Sequence, residues 1–381
     1  MRLAVEGWRS LSHSYAVVNQ WQLLSLAKRR DVVLRVKDVS FCNAFWREQP
    51  GLFSESDELV LRGIEKVRPD FLPDATWRMA YPYDLKPAPR GKTLVFGTAE
   101  YRLVPKSFLA ANAVLEDVVA DPSVSIMTPS HWSAEGFRRL GFDPSRIAVI
   151  PHGIDPGLFR PRAEVRADMR RQLGVSGFVF MSVGAMSGNK GMDVLLKAFA
   201  AVAERRPDTS LVLKGSDRLY RSRNLLQQTL NSLTRAQVDR IMPRLVYGGE
   251  TLSMSRMSAL YQAADAYVSP YRAEGFNLPV LEAAACGVPI ICTRGGSTDD
   301  FTTEAFAWKI DGRLRSVEIE GESGSFLEPD VAHLTELMLR VVDDDSFRAA
   351  AAIDGPRYVT EHFTWDRVTE RAMPILSARL H

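Results

Sequence analysis

Two glutamates eight positions apart, Glu274 and Glu282, stand in the run Glu274-Gly275-Phe276-Asn277-Leu278-Pro279-Val280-Leu281-Glu282-Ala283-Ala284-Ala285-Cys286-Gly287. Pro279 suits the first turn of a helix, where its missing N–H costs nothing, and Gly287 suits the exit. The spacing therefore predicts Glu274 in a loop and Glu282 inside the helix, so the two carboxylates can reach different parts of one extended ligand. Carboxylates accept hydrogen bonds from sugar hydroxyls, and open N–H groups at a helix start attract an anion or a hydroxyl-rich ligand. An isolated Glu282 would merely solvate a helix face. Its neighbours Leu281, Ala283, Ala284 and Ala285 predict instead a small apolar helix run close against a sheet, where an acid needs a partner.

Other segments carry chemistry of their own. The loop Gly295-Gly296-Ser297-Thr298-Asp299 offers backbone amides as a phosphate cradle, with Gly296 as the donor contact, or forms a plain turn. The stretch 184–191, with Lys190 before Gly191, is neither a Gly-x4-Gly-Lys-Ser/Thr phosphate loop nor a Gly-x-Gly-x-x-Gly dinucleotide fingerprint, so ATPase and dehydrogenase readings lose support. Lys214 ends the apolar run Leu211-Val212-Leu213 and either snorkels to solvent or faces a ligand at the carboxyl edge of a sheet. Asp343-Asp344-Asp345 reads as a solvated helix end. No convincing Asp-x-Asp element stands in a loop, so cationic side chains are expected to replace a metal, and no metal or cofactor is expected. Cys42, Cys286 and Cys292 show neither metal-ligand spacing nor a pairable framework, which fits a reduced, cytoplasmic compartment.

These residues need a scaffold of two domains, the number that 381 residues suggest. A hydrophobic fraction of 46%, a charged fraction of 25% and a net charge of +2 describe a folded globular chain and call for no nucleic-acid partner. The N-terminus turns polar at Glu6, too soon for a signal peptide, and no window is apolar enough to span a membrane. Peripheral contact with a membrane face stays open. Strands are expected over 3–5, 32–36, 93–96, 124–127 and 147–150, with helices over 14–28, 107–119 and 131–140. The alternation repeats with strands over 178–183, 210–213, 245–247, 266–269 and 288–292, the pattern of two parallel sheets clad by helices. Leu195, Ala198, Phe199 and Val202 form one apolar helix face. The proline- and glycine-rich segment 151–161 reads as the hinge. The expected domains are 1–160 and 161–361, with 362–381 a C-terminal helix returning to the first.

With the Glu-x7-Glu run, other ordered segments resemble the large family of retaining glycosyltransferases of GT-B fold. They include Ser130-His131-Trp132-Ser133-Ala134-Glu135, Ile147 to Asp155, Val183-Gly184-Ala185-Met186-Ser187-Gly188-Asn189-Lys190-Gly191 and Phe363-Thr364-Trp365-Asp366. The resemblance implies two Rossmann-like domains facing a cleft, the first for the acceptor and the second for a nucleotide sugar. It implies that Glu282 binds the ribose hydroxyls, Glu274 the transferred sugar, and Lys190 the diphosphate. Backbone at Gly184, Phe276, Asn277 and Leu278 would approach the donor, and Lys190 and Glu274 would be the catalytic pair. The acceptor would be a glycan, a lipid-linked molecule or a small molecule.

Two departures qualify it. Ala185 stands where the family commonly has Arg, and Lys214 is the candidate replacement. The glycine-rich loop after the first strand is replaced by Glu6-Gly7-Trp8-Arg9-Ser10-Leu11-Ser12-His13-Ser14-Tyr15. His13 is thus either an acceptor contact or a capping residue, and Glu100 either a contact or hydrogen-bonded structure. The rival readings are a phosphorylase or epimerase of the same fold, or a catalytically silent module that binds nucleotide sugars.

Overall fold

Apolar runs bounded by turn residues become the strands of two parallel sheets in a computed structural model that describes residues 1–377. The first sheet holds β1 (Arg2–Gly7), β2 (Val33–Asp38), β3 (Ala75–Met79), β4 (Lys92–Phe96), β5 (Val124–Thr128) and β6 (Ile147–Val149), in the order β2-β1-β3-β4-β5-β6. Leu3, Leu94 and Ile126 are fully buried, as strands covered on both faces require. β3 was not expected because Arg78 interrupts it; the guanidinium is answered by Glu6 at 3.0 Å on the neighbouring strand.

One expected helix is corrected. Over 107–119 the chain forms only a 3₁₀ turn, Lys106–Phe108, and a short helix, Leu115–Ala120. Between them the backbone pairs with Tyr83, whose N–H donates to Phe108 O at 2.7 Å and whose carbonyl accepts from Ala110 N at 2.9 Å. Extended pairing there overrides the helical period.

The second sheet holds β7 (Phe178–Val183), β8 (Thr209–Lys214), β9 (Leu245–Gly248), β10 (Ala266–Ser269), β11 (Ile290–Thr293) and β12 (Ala307–Ile310), in the order β12-β11-β10-β7-β8-β9. This is the Rossmann order. The helix Met192–Arg205 lays Leu195, Ala198, Phe199 and Val202 on this sheet, each at 0% exposure, as their spacing predicts. β12 and the hairpin of β13 (Gly312–Ile319) and β14 (Glu322–Pro329) were not expected. In β12 the half-buried Trp308 stacks on Phe347 with ring centroids 4.0 Å apart.

The chain divides into one unit of Met1–Gly153, Ser316–Ser325 and the residues from Phe363, and another of Ile154–Arg315 and Phe326–His362. The outer part of the hairpin thus groups with the first unit, where Ser325 N donates to Tyr101 O at 2.7 Å. The C-terminal helix, Trp365–Ser377, also belongs there; the rest of the segment to 381 lies outside the described residues. Trp365 stacks on Trp21, and Asp366 accepts from Ser25 Oγ at 2.7 Å and pairs with Lys28 at 3.0 Å. Among the described residues no helix is long and apolar enough to cross a membrane.

Candidate active site

In the second sheet β7 neighbours β10 on one side, while the chain leaves β7 for β8 on the other. Open α/β sheets bind ligands beyond the carboxyl ends of the strands at such a switch point. The stretch 184–191 leaves β7 there and the stretch 270–277 leaves β10, and their backbones interlock. The N–H groups of Arg272 and Ala273 both donate to Asn189 O, at 2.7 and 3.1 Å. Gly191 makes the approach feasible: its φ is +68°, and a Cβ there would lie 1.8 Å from Pro270 O. The result is an ion pair. Lys190 Nζ stands 2.7 Å from Glu274 Oε1, with side chains only 21% and 13% exposed.

Three residues beyond Glu274, Asn277 takes φ +78° and its amide donates to Ser269 Oγ at 2.9 Å, turning the chain into the helix Leu278–Ala285 with Pro279 in the first turn. The side chain of Asn277 does not cap that helix start. Glu282 lies within the helix, buried, and accepts from Tyr261 Oη at 2.7 Å. Burial pushes its carboxyl up from 4.5 to about 7, with the tyrosine bond opposing.

That shift has a consequence for stability. Between about pH 4.5 and 7 the folded chain keeps a proton that the unfolded chain has released. The contribution of Glu282 to stability is therefore full below pH 4.5 and lost as pH rises through about 7. Denaturant unfolding from pH 4.5 to 8 should show Glu282→Gln gaining on the natural chain as pH rises. A difference that stays constant across this range would contradict the assignment.

The remaining expected residues fall at several places. Lys214, 6% exposed, donates to Gly215 O at 2.5 Å and Glu250 O at 2.6 Å. Its bonds thus run to the residue that follows it after β8 and to the loop after β9 rather than to the turn of Lys190, although Gly184 N does donate to Lys214 O at 3.0 Å. Gly296 lies against Tyr271, where a Cβ would meet the hydroxyl at 2.4 Å. Three amides of its loop are already used, Gly295 N by Asp299 at 2.7 Å, Thr298 N by Tyr271 Oη at 3.2 Å and Asp299 N by Gly296 O at 3.1 Å. In the first unit the order reverses between β1 and β3, and His13 follows β1. It caps the helix Ser14–Ala27, its Nδ1 accepting from Tyr15 N at 3.2 Å, and packs against Trp8 and Trp46. Burial lowers its pKa to about 4. Glu100, half-buried, follows β4, and its carbonyl accepts from Trp132 Nε1 at 2.6 Å.

Sequence reasoning missed Tyr261 and Arg272. Tyr261 gave one faint signal, a tyrosine in helical step with Met254 and Met257, whereas the role of Arg272 depends on contacts far apart in sequence.

A family model described as "Glycosyl transferases group 1" matches residues 177–344, which hold Lys190, Glu274 and Glu282. Over these residues the chain is similar to the group 1 glycosyl transferases. A relative in Salinispora arenicola named D-inositol 3-phosphate glycosyltransferase is 27% identical over 273 residues, 68% of this chain and 56% of the relative. A GDP-mannose-dependent monoacylated alpha-(1-6)-phosphatidylinositol monomannoside mannosyltransferase of Corynebacterium glutamicum is 29% identical over 241 residues, 60% of this chain and 55% of the relative. The matches thus span just over half the length of these relatives. Among solved structures, HepE of Anabaena with UDP and glucose has a TM-score of 0.70 at 15% identity, covering 100% of both chains. Sucrose-phosphate synthase of Thermosynechococcus elongatus has a TM-score of 0.68 at 15% identity, covering 98% of both. The fold is that of GT-B glycosyltransferases, with two Rossmann-like α/β units.

Proposed function

We propose that this chain is a retaining glycosyltransferase that moves a sugar from a nucleotide diphosphate donor to a hydroxyl-bearing acceptor without a metal ion. The observation that carries the reading is the Lys190–Glu274 pair, 2.7 Å apart at the switch point of a sheet matched by the group 1 family. As the glycosidic bond breaks, negative charge gathers on the leaving phosphate, and a fixed ammonium at Lys190 stabilises it. Glu274 accepts from hydroxyls of the transferred sugar, and Glu282 accepts from the ribose. The helix start at Leu278 presents its dipole to the donor, with backbone at Gly184, Phe276, Asn277 and Gly296 lining the approach. Of the three N–H groups of Lys214, two are engaged, so it offers at most one to the diphosphate.

Retention follows without a dedicated base if the leaving phosphate takes the acceptor proton on the face it departs from. His13 and Glu100, at the carboxyl edge of the first sheet, are the proposed acceptor contacts. The relatives named for inositol phosphate and GDP-mannose direct the first screen to GDP-mannose with polyol acceptors, and the HepE structure adds UDP-glucose. NMR of the product should show the donor's anomeric configuration, and the rate should survive EDTA. An inverted product would refute retention; loss in EDTA restored by Mg²⁺ or Mn²⁺ would refute metal independence.

A further inference from the structure

Arg272 uses all five of its guanidinium N–H groups. Nε donates to Glu328 Oε2 at 2.9 Å and Nη2 to Glu328 Oε1 at 2.7 Å; Nη1 and Nη2 donate to the two oxygens of Asp193 at 2.6 and 3.1 Å. The fifth bond runs from Nη1 to Gly188 O at 2.9 Å. The backbone of Arg272 is engaged as well, its N–H on Asn189 O and its carbonyl accepting from Leu327 N at 2.9 Å. One half-buried side chain therefore meets three segments. They are the turn that ends in Lys190, the first turn of the helix Met192–Arg205 through Asp193, and β14 through Glu328. Arg272 itself stands two residues before Glu274.

We propose that Arg272 is a positioning residue that sets Lys190 and Glu274 against each other before the donor arrives. The proposal rests on the donor role assigned to Lys190. Lys and Glu are long side chains that lose much rotamer freedom when held in one geometry. A charge stabiliser acts only if its place is fixed before the reaction, and a displacement of about 1 Å costs on the order of 10²-fold in rate. The Lys190 turn has few means of holding itself. It is a single 3₁₀ turn, Gly188–Lys190, between Ser187 and a left-handed Gly191. Arg272 grips this turn at the Gly188 carbonyl, and the adjacent N–H groups of residues 272 and 273 grip it at Asn189. The planar fork matters more than the charge, because an ammonium cannot face two carboxylates and a carbonyl from one plane.

Arg272→Lys tests this, since it keeps the positive charge between Asp193 and Glu328 and removes the fork. With the full chain and UDP-glucose or GDP-mannose as the probe, whichever it hydrolyses or transfers, kcat should fall about 10- to 100-fold with the donor KM changed far less. In a Lys190→Ala background the same substitution should cost little, because both act through one group. Glu328→Gln, which removes a 38% exposed partner, should show a smaller loss of the same kind and serves if Arg272→Lys does not fold. Unchanged kcat in the folded variants, or a loss that multiplies in full with that of Lys190→Ala, overturns the positioning role. If Lys190→Ala itself leaves turnover unchanged, the donor reading of Lys190 falls and the positioning role falls with it; a slowed Lys190→Ala beside an unaffected Arg272→Lys rejects Arg272 alone.

Discussion

In Lys190→Ala, turnover of the nucleotide sugar should fall by on the order of 10² to 10³, the scale seen when one transition-state charge stabiliser is lost. The ammonium lies 2.7 Å from the Glu274 carboxylate and is largely shielded from water, where a charge acts more strongly than at an exposed position. Its substitution leaves a 13% exposed carboxylate without this partner, so on the proposed reading sugar positioning should suffer together with leaving-group stabilisation. Lys190→Arg should recover part of the rate, because a cation remains while the point-charge geometry of an ammonium is lost. Steady-state kinetics with a fixed donor measure this directly. A kcat for Lys190→Ala equal to that of the natural chain would remove Lys190 from the mechanism.

Glu282→Ala should weaken binding of the matching nucleoside diphosphate by about 1.5 to 3 kcal/mol, roughly 10- to 150-fold. The carboxylate would otherwise accept from the ribose, and without it Tyr261 Oη also loses its 2.7 Å acceptor. Calorimetry at pH 8, above the raised carboxyl pKa of about 7, compares the ionised natural chain with the variant. The same burial that makes this carboxylate costly to ionise should make it a strong acceptor for a bound ribose. An unchanged dissociation constant would detach Glu282 from the nucleotide.

Much of this site follows from local rules. Pro279 and Gly287 bound a helix to within a residue or two, which puts Glu274 outside it and Glu282 inside it whatever the tertiary context. The apolar stripe of Leu195 to Val202 and the alternation of strands with helices likewise depend on short-range periodicity. What stayed hidden depends on partners distant in the chain. β3 carries Arg78, tolerable only because Glu6 of β1 lies beside it. Tyr261 meets Glu282 across 21 residues. Arg272 binds groups 79 and 56 positions away, and no local pattern encodes that meeting. Lys214 shows the same limit, since its place at the end of an apolar strand was legible while the Glu250 carbonyl that receives it was not.

The interrupted first unit bears on how the chain matures during synthesis. Domains made on the ribosome generally fold as units, N-terminal first. Here the residues up to 153 emerge first, yet their unit still lacks 316–325 and the helix Trp365–Ser377. All the sequence of the second unit is out by His362, before Trp365 can stack on Trp21 or Asp366 can meet Ser25 and Lys28. The half begun first is therefore the last completed, and a stop codon just after His362 would strip the helix from the first unit while leaving the sequence of the second intact.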